Sequence, residues 1–195
     1  MYTNTCVGGI WSGWTPSNPF TYNQAVAWNG STDRVLGIGQ ITQDSFASAT
    51  SMPLHIACGD GQIYEIELNG TYTPSTNAAV TLLQPNNAIP TTNSFKLYQI
   101  WGTDSTGVSA SYIATSADGG LRLDVSGGLF SDTAKVFTST AAKSMIAHVA
   151  GATSTNNYSG EIRGYWNDTT TVWSSLGTII MPNAWTGQIV VKRVA

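Results

Sequence analysis

Two histidines, two cysteines and eleven carboxylates are the residues of this 195-residue chain whose types could do chemistry. Nucleophilic catalysis needs a Ser or Cys beside a His that a third group orients. His55 lies between Leu54 and Ile56, and His148 between Ala147 and Val149. Flanks of that kind mark half-buried structural histidines, and no Gly-x-Ser-x-Gly elbow is present. His55 and Cys58 are three apart, which on a strand puts them on opposite faces. With no Cys-x-x-Cys pair, no zinc site is expected. The loops around Asp104 and Asp118 offer oxygens to calcium but lack Asp-x-Asp-x-Asp-Gly spacing, and Asp-Gly turns form without metal. Glycoside hydrolysis needs two placed carboxylates. Glu65, Glu67, Glu161, Asp60, Asp124 and Asp168 are available, and their spacing singles out no pair. The expectation is therefore no catalytic residue, no metal and no cofactor. Cys6 and Cys58 read as two buried or half-buried thiols, with a single disulfide as the alternative.

Aromatic residues carry a second chemistry, since sugars stack their apolar faces on rings while polar neighbours fix their orientation. Trp101, Tyr165, Trp166, Trp173 and Trp185 stand near strand ends among Asn, Asp and Thr, and are the glycan-stacking candidates. The competing reading is that these tryptophans fill a core. A separate group, Trp11, Trp14, Phe20 and Tyr22, falls in an irregular-looking stretch rich in Gly, Ser, Asn and Pro. Residues 1–30 therefore read as an arm that packs rings on the body of the protein or on a neighbouring subunit.

The elements that must position these groups look like strands throughout. Apolar runs 34–42, 62–68, 80–83, 95–101, 108–115, 121–125, 161–166, 178–181 and 188–194 are separated by turn residues. In 95–101, Phe95, Leu97, Gln99 and Trp101 alternate with Lys96, Tyr98 and Ile100. Gly59-Asp60-Gly61 and Asn69-Gly70 read as tight turns. Asp118-Gly119-Gly120 reads as the turn of a hairpin joining 108–115 to 121–125. Thr140–Val149 fits either a strand or a short helix bearing Ala142, Met145, Ile146 and Val149 on one face. Shorter strand signals stand at 136–137 and 171–173.

Composition agrees. Charged residues are 10% of the chain and only three are Glu, whereas exposed helix faces normally carry many Glu, Lys and Arg. The expected fold is all-β, an antiparallel β-sandwich or jelly roll at 31–195, preceded by the arm. Eight scattered Lys and Arg and a net charge of −3 give no basic track for nucleic acid. No apolar run is long enough to cross a membrane as a helix. The segment Met1–Cys6 lacks the basic and apolar regions of a secretory signal. Four Asn-x-Ser/Thr sequons, at Asn29, Asn69, Asn157 and Asn167, matter only in a glycosylating compartment.

The Thr/Ser/Asn/Gly-rich strands, the breaks at Gly119-Gly120 and Gly127-Gly128, and the strand-like GQIVVKRVA give the whole chain a compositional likeness to a known group. It resembles structural proteins of tailed-phage particles, such as decoration proteins and tail or fibre tips. That resemblance implies a non-enzymatic protein of the virion that associates with itself or with other virion proteins. Residues 146–173 are also similar to the late strands of a lectin-type jelly roll. The alternative is accordingly an extracellular carbohydrate-binding module or lectin recognising cell-surface glycans.

Overall fold

A computed structural model describes residues 2–7, 10–16, 25–27, 33–72, 81–87, 95–104, 107–116, 119–124, 129–141, 143–152 and 157–195. The strands before residue 33 are described by their backbone. The chain forms β1 (Tyr2–Val7), β2 (Ile10–Pro16), β3 (Ala25–Ala27), β4 (Ile41–Pro53), β5 (Ile63–Tyr72), β6 (Thr81–Gln84) and β7 (Phe95–Thr103). Then follow β8 (Gly107–Ser116), β9 (Leu121–Asp124), β10 (Leu129–Thr138), β11 (Lys143–Ala152), β12 (Asn157–Trp166) and β13 (Thr178–Arg193). The all-β expectation holds. Three strands stand within the first 30 residues, where irregular chain was expected: β1 pairs antiparallel with β2, and β3 pairs parallel with β4.

Among the described residues eleven strands make one curled sheet, nine of them in the order β3-β4-β13-β5-β10-β11-β12-β7-β8. β6 adds to the first part of β13, and β9 adds to β6. β13 therefore belongs to two layers. Its residues 178–180 pair with Met52 and its neighbours on one side and with Leu82–Gln84 on the other, while residues 185–193 sit between β4 and β5. The layer begun by β6 and β9 folds over β10, β11 and β12. Segments 54–58 and 174–177 run beside each other in the same cover, joined by Cys58 N–Ser174 O (2.7 Å) and Leu176 N–Ile56 O (2.8 Å). The result is sandwich-like. One face of the main sheet is enclosed and the other lies open.

Period-two alternation drives this arrangement. In β10, Phe130, Asp132, Ala134, Val136 and Thr138 are buried while Leu129, Ser131, Thr133 and Lys135 are exposed. In β11 Lys143, Met145, Ala147 and Val149 are buried, so the segment that fits helix or strand is a strand. The enclosed side chains make one continuous core, from Leu36 and Leu54 through Tyr64, Ile66 and Leu68 to Ile189 and Val191.

Several turns expected from sequence are corrected. Asn69-Gly70 is no turn: β5 runs straight through it to Tyr72. An added Cβ on Gly70 would lie 2.2 Å from Trp185 Nε1, so this glycine serves the close passage of an indole. The 108–115 and 121–125 runs do not form a hairpin, because β8 pairs with β7 and β9 with β6. Residues 34–40 form a bridge at Arg34 and a turn, and the strand begins at Ile41. Residues 171–173 form a loop. There Asn86 accepts from the Ser174 and Ser175 amides (2.8 and 3.0 Å) and donates to Val172 O (2.8 Å).

Candidate functional site

The open face carries the ion pairs of Glu65 and Glu161, and the strand register sets their order. One row runs Lys192, Glu65, Lys135, Ile146, Arg163, Tyr98 across β13, β5, β10, β11, β12 and β7. The next runs Glu67, Thr133, His148, Glu161, Ile100. Glu65 lies 3.4 Å from Lys135 and 3.9 Å from Lys192. Glu161 holds Arg163 Nε at 2.5 Å and stands 4.0 Å from His148 Nδ1. These carboxylates are solvated partners of basic groups.

Two shallow depressions mark this face. The first, about 490 Å³, is lined by Glu65, Glu67, Thr133, Lys135, Ile146 and His148. The second, about 330 Å³, is lined by Tyr98, Ile100, Glu161, Arg163 and Tyr165. The first has the imidazole of His148, and the second has two phenol rings. Tyr98 and Tyr165 meet edge to face, with centroids 6.0 Å apart and planes at 85°. They are 45% and 41% exposed, and Ile100 beside them is 57% exposed. Single exposed apolar residues are ordinary, and here three stand together on one sheet face.

The structure divides the glycan-stacking candidates. Tyr165 belongs to the open depression. Trp101 is half-buried and stands on the enclosed side, opposite Gly160. Trp166, Trp173 and Trp185 are core residues, with Trp173 and Trp185 fully enclosed, so no sugar reaches them. Trp185 stacks between Phe46 and Phe130, each at 5.7 Å. Trp166 packs on Phe95 at 6.2 Å and edge-on to Trp173 at 5.8 Å. Lys143 Nζ sits 4.2 Å from the Trp166 ring centroid and donates to Thr171 O at 2.6 Å. Burial lowers the Lys143 pKa, opposed by the charge of Asp168. Sequence reasoning missed Tyr98. The available signal was its place in β7 on the face opposite Phe95 and Leu97, two positions from Ile100.

The remaining chemistry candidates are structural. Cys58 is a free thiol that burial pushes up to about 12, far from a reactive thiolate. Asp60 accepts from the Thr140 amide (2.6 Å) and hydroxyl (3.1 Å), which lowers its pKa. Asp168 accepts from the Thr170 and Thr171 amides (2.7 and 3.0 Å) and is held well below the usual carboxylate range by these two threonines. Asp104 accepts from the Asn157 amide and side chain, each at 3.1 Å. Among the described residues no three His, Cys, Asp or Glu side chains gather as metal ligands. Asp118, Phe20 and Tyr22 lie outside the described residues, as do the side chains of Cys6, Trp11, Trp14 and Asp124. The chain defines an all-β domain with one enclosed and one open sheet face. It matches no known family, no curated protein and no solved structure.

Proposed function

We propose that the chain is a non-enzymatic virion structural protein, of capsid-decoration or tail-fibre type, acting by assembly with copies of itself or with other virion proteins. The observation that carries this reading is β8, the terminal strand of the sheet. It is ten residues long, GVSASYIATS, and contains no charge and no proline. Sheet edges are normally guarded by Lys, Pro, bulges or brevity, because a bare row of amides and carbonyls recruits another chain. Residues 107–111 are exposed, and Val108 is 82% exposed. The opposite end of the sheet, β3, is three residues long. The pairing with β7 slips by one residue between Phe95 and Leu97, a bulge at the far end of β8, and the regular stretch 107–113 before it, without charge or proline, suits strand addition between subunits. Light scattering on the full chain is expected to give a closed oligomer. The double variant Ser109→Lys, Ser111→Lys, which puts like charges on the edge, is expected to be monomeric with an unchanged melting temperature. A wild-type chain that stays monomeric at every concentration, and does not join other virion proteins, refutes the proposal. Replacing Trp11, Trp14, Phe20 and Tyr22 by Ser tests separately whether the arm contributes.

A second reading, a glycan-binding domain of the lectin kind, is favoured by the exposed Tyr98–Tyr165 pair beside the Glu161–Arg163 ion pair.

A further inference from the structure

We infer that the depression between β7 and β12 is a binding site for one neutral hexopyranose unit of a glycan. Tyr98 and Tyr165 supply the stacking surface, and Glu161 with Arg163 grips vicinal hydroxyls. The inference rests on the glycan reading above and gives it a place and a ligand class.

The argument begins with the rings. The rings stand edge to face, and each still offers ring surface to solvent: Tyr98 is 45% exposed and Tyr165 41%. A pyranose presents a patch of C–H groups that packs on such a face, burying apolar area on both sides. Ile100 extends the apolar floor one row along β7, beside Glu161 of β12. At about 330 Å³ the depression lies at the small end of the ~300–1,000 Å³ usual for small-molecule sites. One sugar unit of a longer chain suits it better than a large ligand.

Polar groups then choose the class. Two neighbouring sugar hydroxyls need an acceptor and a donor side by side, since each hydroxyl can do both. Glu161 supplies carboxylate oxygens. Arg163 is tied to Glu161 through Nε, which fixes the guanidinium plane and presents its two terminal amino groups as a parallel donor pair. The two charges offset each other, so an anionic sugar gains no net attraction here. The neighbouring depression at Glu65, Glu67, Lys135 and His148 is larger, but it offers one imidazole in place of a pair of phenol rings.

The test uses the full chain and calorimetry, with ligand-observed NMR for weak binders. The probes are oligosaccharides of glucose, mannose, galactose and N-acetylglucosamine, with oligogalacturonate as an acidic comparison. Binding of at least one neutral probe is expected, little changed by salt. Tyr98→Ala, Tyr165→Ala and Glu161→Gln should each weaken it by about tenfold or more. Arg163→Lys, which keeps the charge and loses the fork, should weaken it too. All four positions are at the surface, so folding is checked by an unchanged melting curve. Neutral-sugar binding that ignores these substitutions overturns this site and leaves the glycan reading standing. Binding confined to oligogalacturonate overturns the neutral class. No binding of any probe at millimolar concentration overturns both.

Discussion

The two ends of the enclosed face bury their aromatics by different means. At one end a single cross-strand row reads Gly187, Gly70, Phe130, Gly151, Tyr158 over β13, β5, β10, β11 and β12. Missing Cβ atoms make the room. Trp185 crosses Gly70, and an added Cβ on Gly151 would meet the Tyr158 hydroxyl at 2.1 Å. At the other end the row is Lys143, Trp166, Phe95. There a buried cation lies against the indole and donates a hydrogen bond to a backbone carbonyl. The first end is set by shape. The second is set partly by charge and responds to pH.

The largest effect should come from emptying the shape-fitted end. Trp185→Ala removes a fully buried ring sandwiched by two others, and is expected to cost about 3–5 kcal/mol. Urea titration with an unchanged slope would measure it; a loss under ~1 kcal/mol would mean that Phe46 and Phe130 collapse into the space. Next in size is a matched glycine pair. Gly70→Ala pushes a methyl to 2.6 Å from the Thr186 carbonyl and onto the fixed indole, and should cost about 1–3 kcal/mol. Gly164→Ala, at the charged end, meets first the tip of Leu121 at 2.7 Å, which can rotate away, so its cost should be smaller. Equal losses in the two variants would erase the distinction between the ends.

Lys143→Met exchanges the buried ammonium for a thioether of similar length. Stability should change little or rise, because removing a desolvated charge offsets the lost cation–π contact. The pH response is the sharper measure. Burial lowers the Lys143 pKa in the folded chain, so the unfolded chain binds the proton more tightly. Wild-type stability should therefore climb as pH rises from the lowered value toward the ordinary lysine value near 10.5. Melting curves of Lys143→Met should lack that climb. The smallest effect concerns Asp168, whose carboxylate anchors the loop above Trp166. Its folded pKa is depressed, so its contribution is complete above 3.8 and fades as pH falls below that value. Asp168→Asn should flatten this part of the acid limb of the melting profile and lower the melting temperature slightly at neutral pH, where the wild-type contribution is complete.

Much of the architecture could be read from residue order alone. Alternation in Phe95–Trp101 put Phe95 and Leu97 on one face and Tyr98 and Ile100 on the other, and the structure buries the first pair and exposes the second. What could not be read was which strand meets which. Asp118-Gly119-Gly120 has hairpin chemistry, yet its flanking strands join different neighbours, because pairing is decided by the whole core and not by the turn. Asn69-Gly70 looked like a turn since sequence cannot show an indole arriving from 115 positions away, at Trp185. The same long-range packing took Trp166, Trp173 and Trp185 out of the candidate binding site. Tyr165 stayed in it because its neighbours in register, Lys96 and Ser144, belong to the open face.

β13 has a kinetic meaning. It follows every other strand in chain order, yet it lies between β4 and β5 and also carries β6. The meander β10-β11-β12 can zip locally through short connections, whereas uniting it with β4 waits for residues more than a hundred positions downstream of that strand. Such distant pairings slow the search for the native state. Until β13 arrives, β4 and β5 each show a bare side, and the last strand acts as the keystone that turns two half-sheets into one.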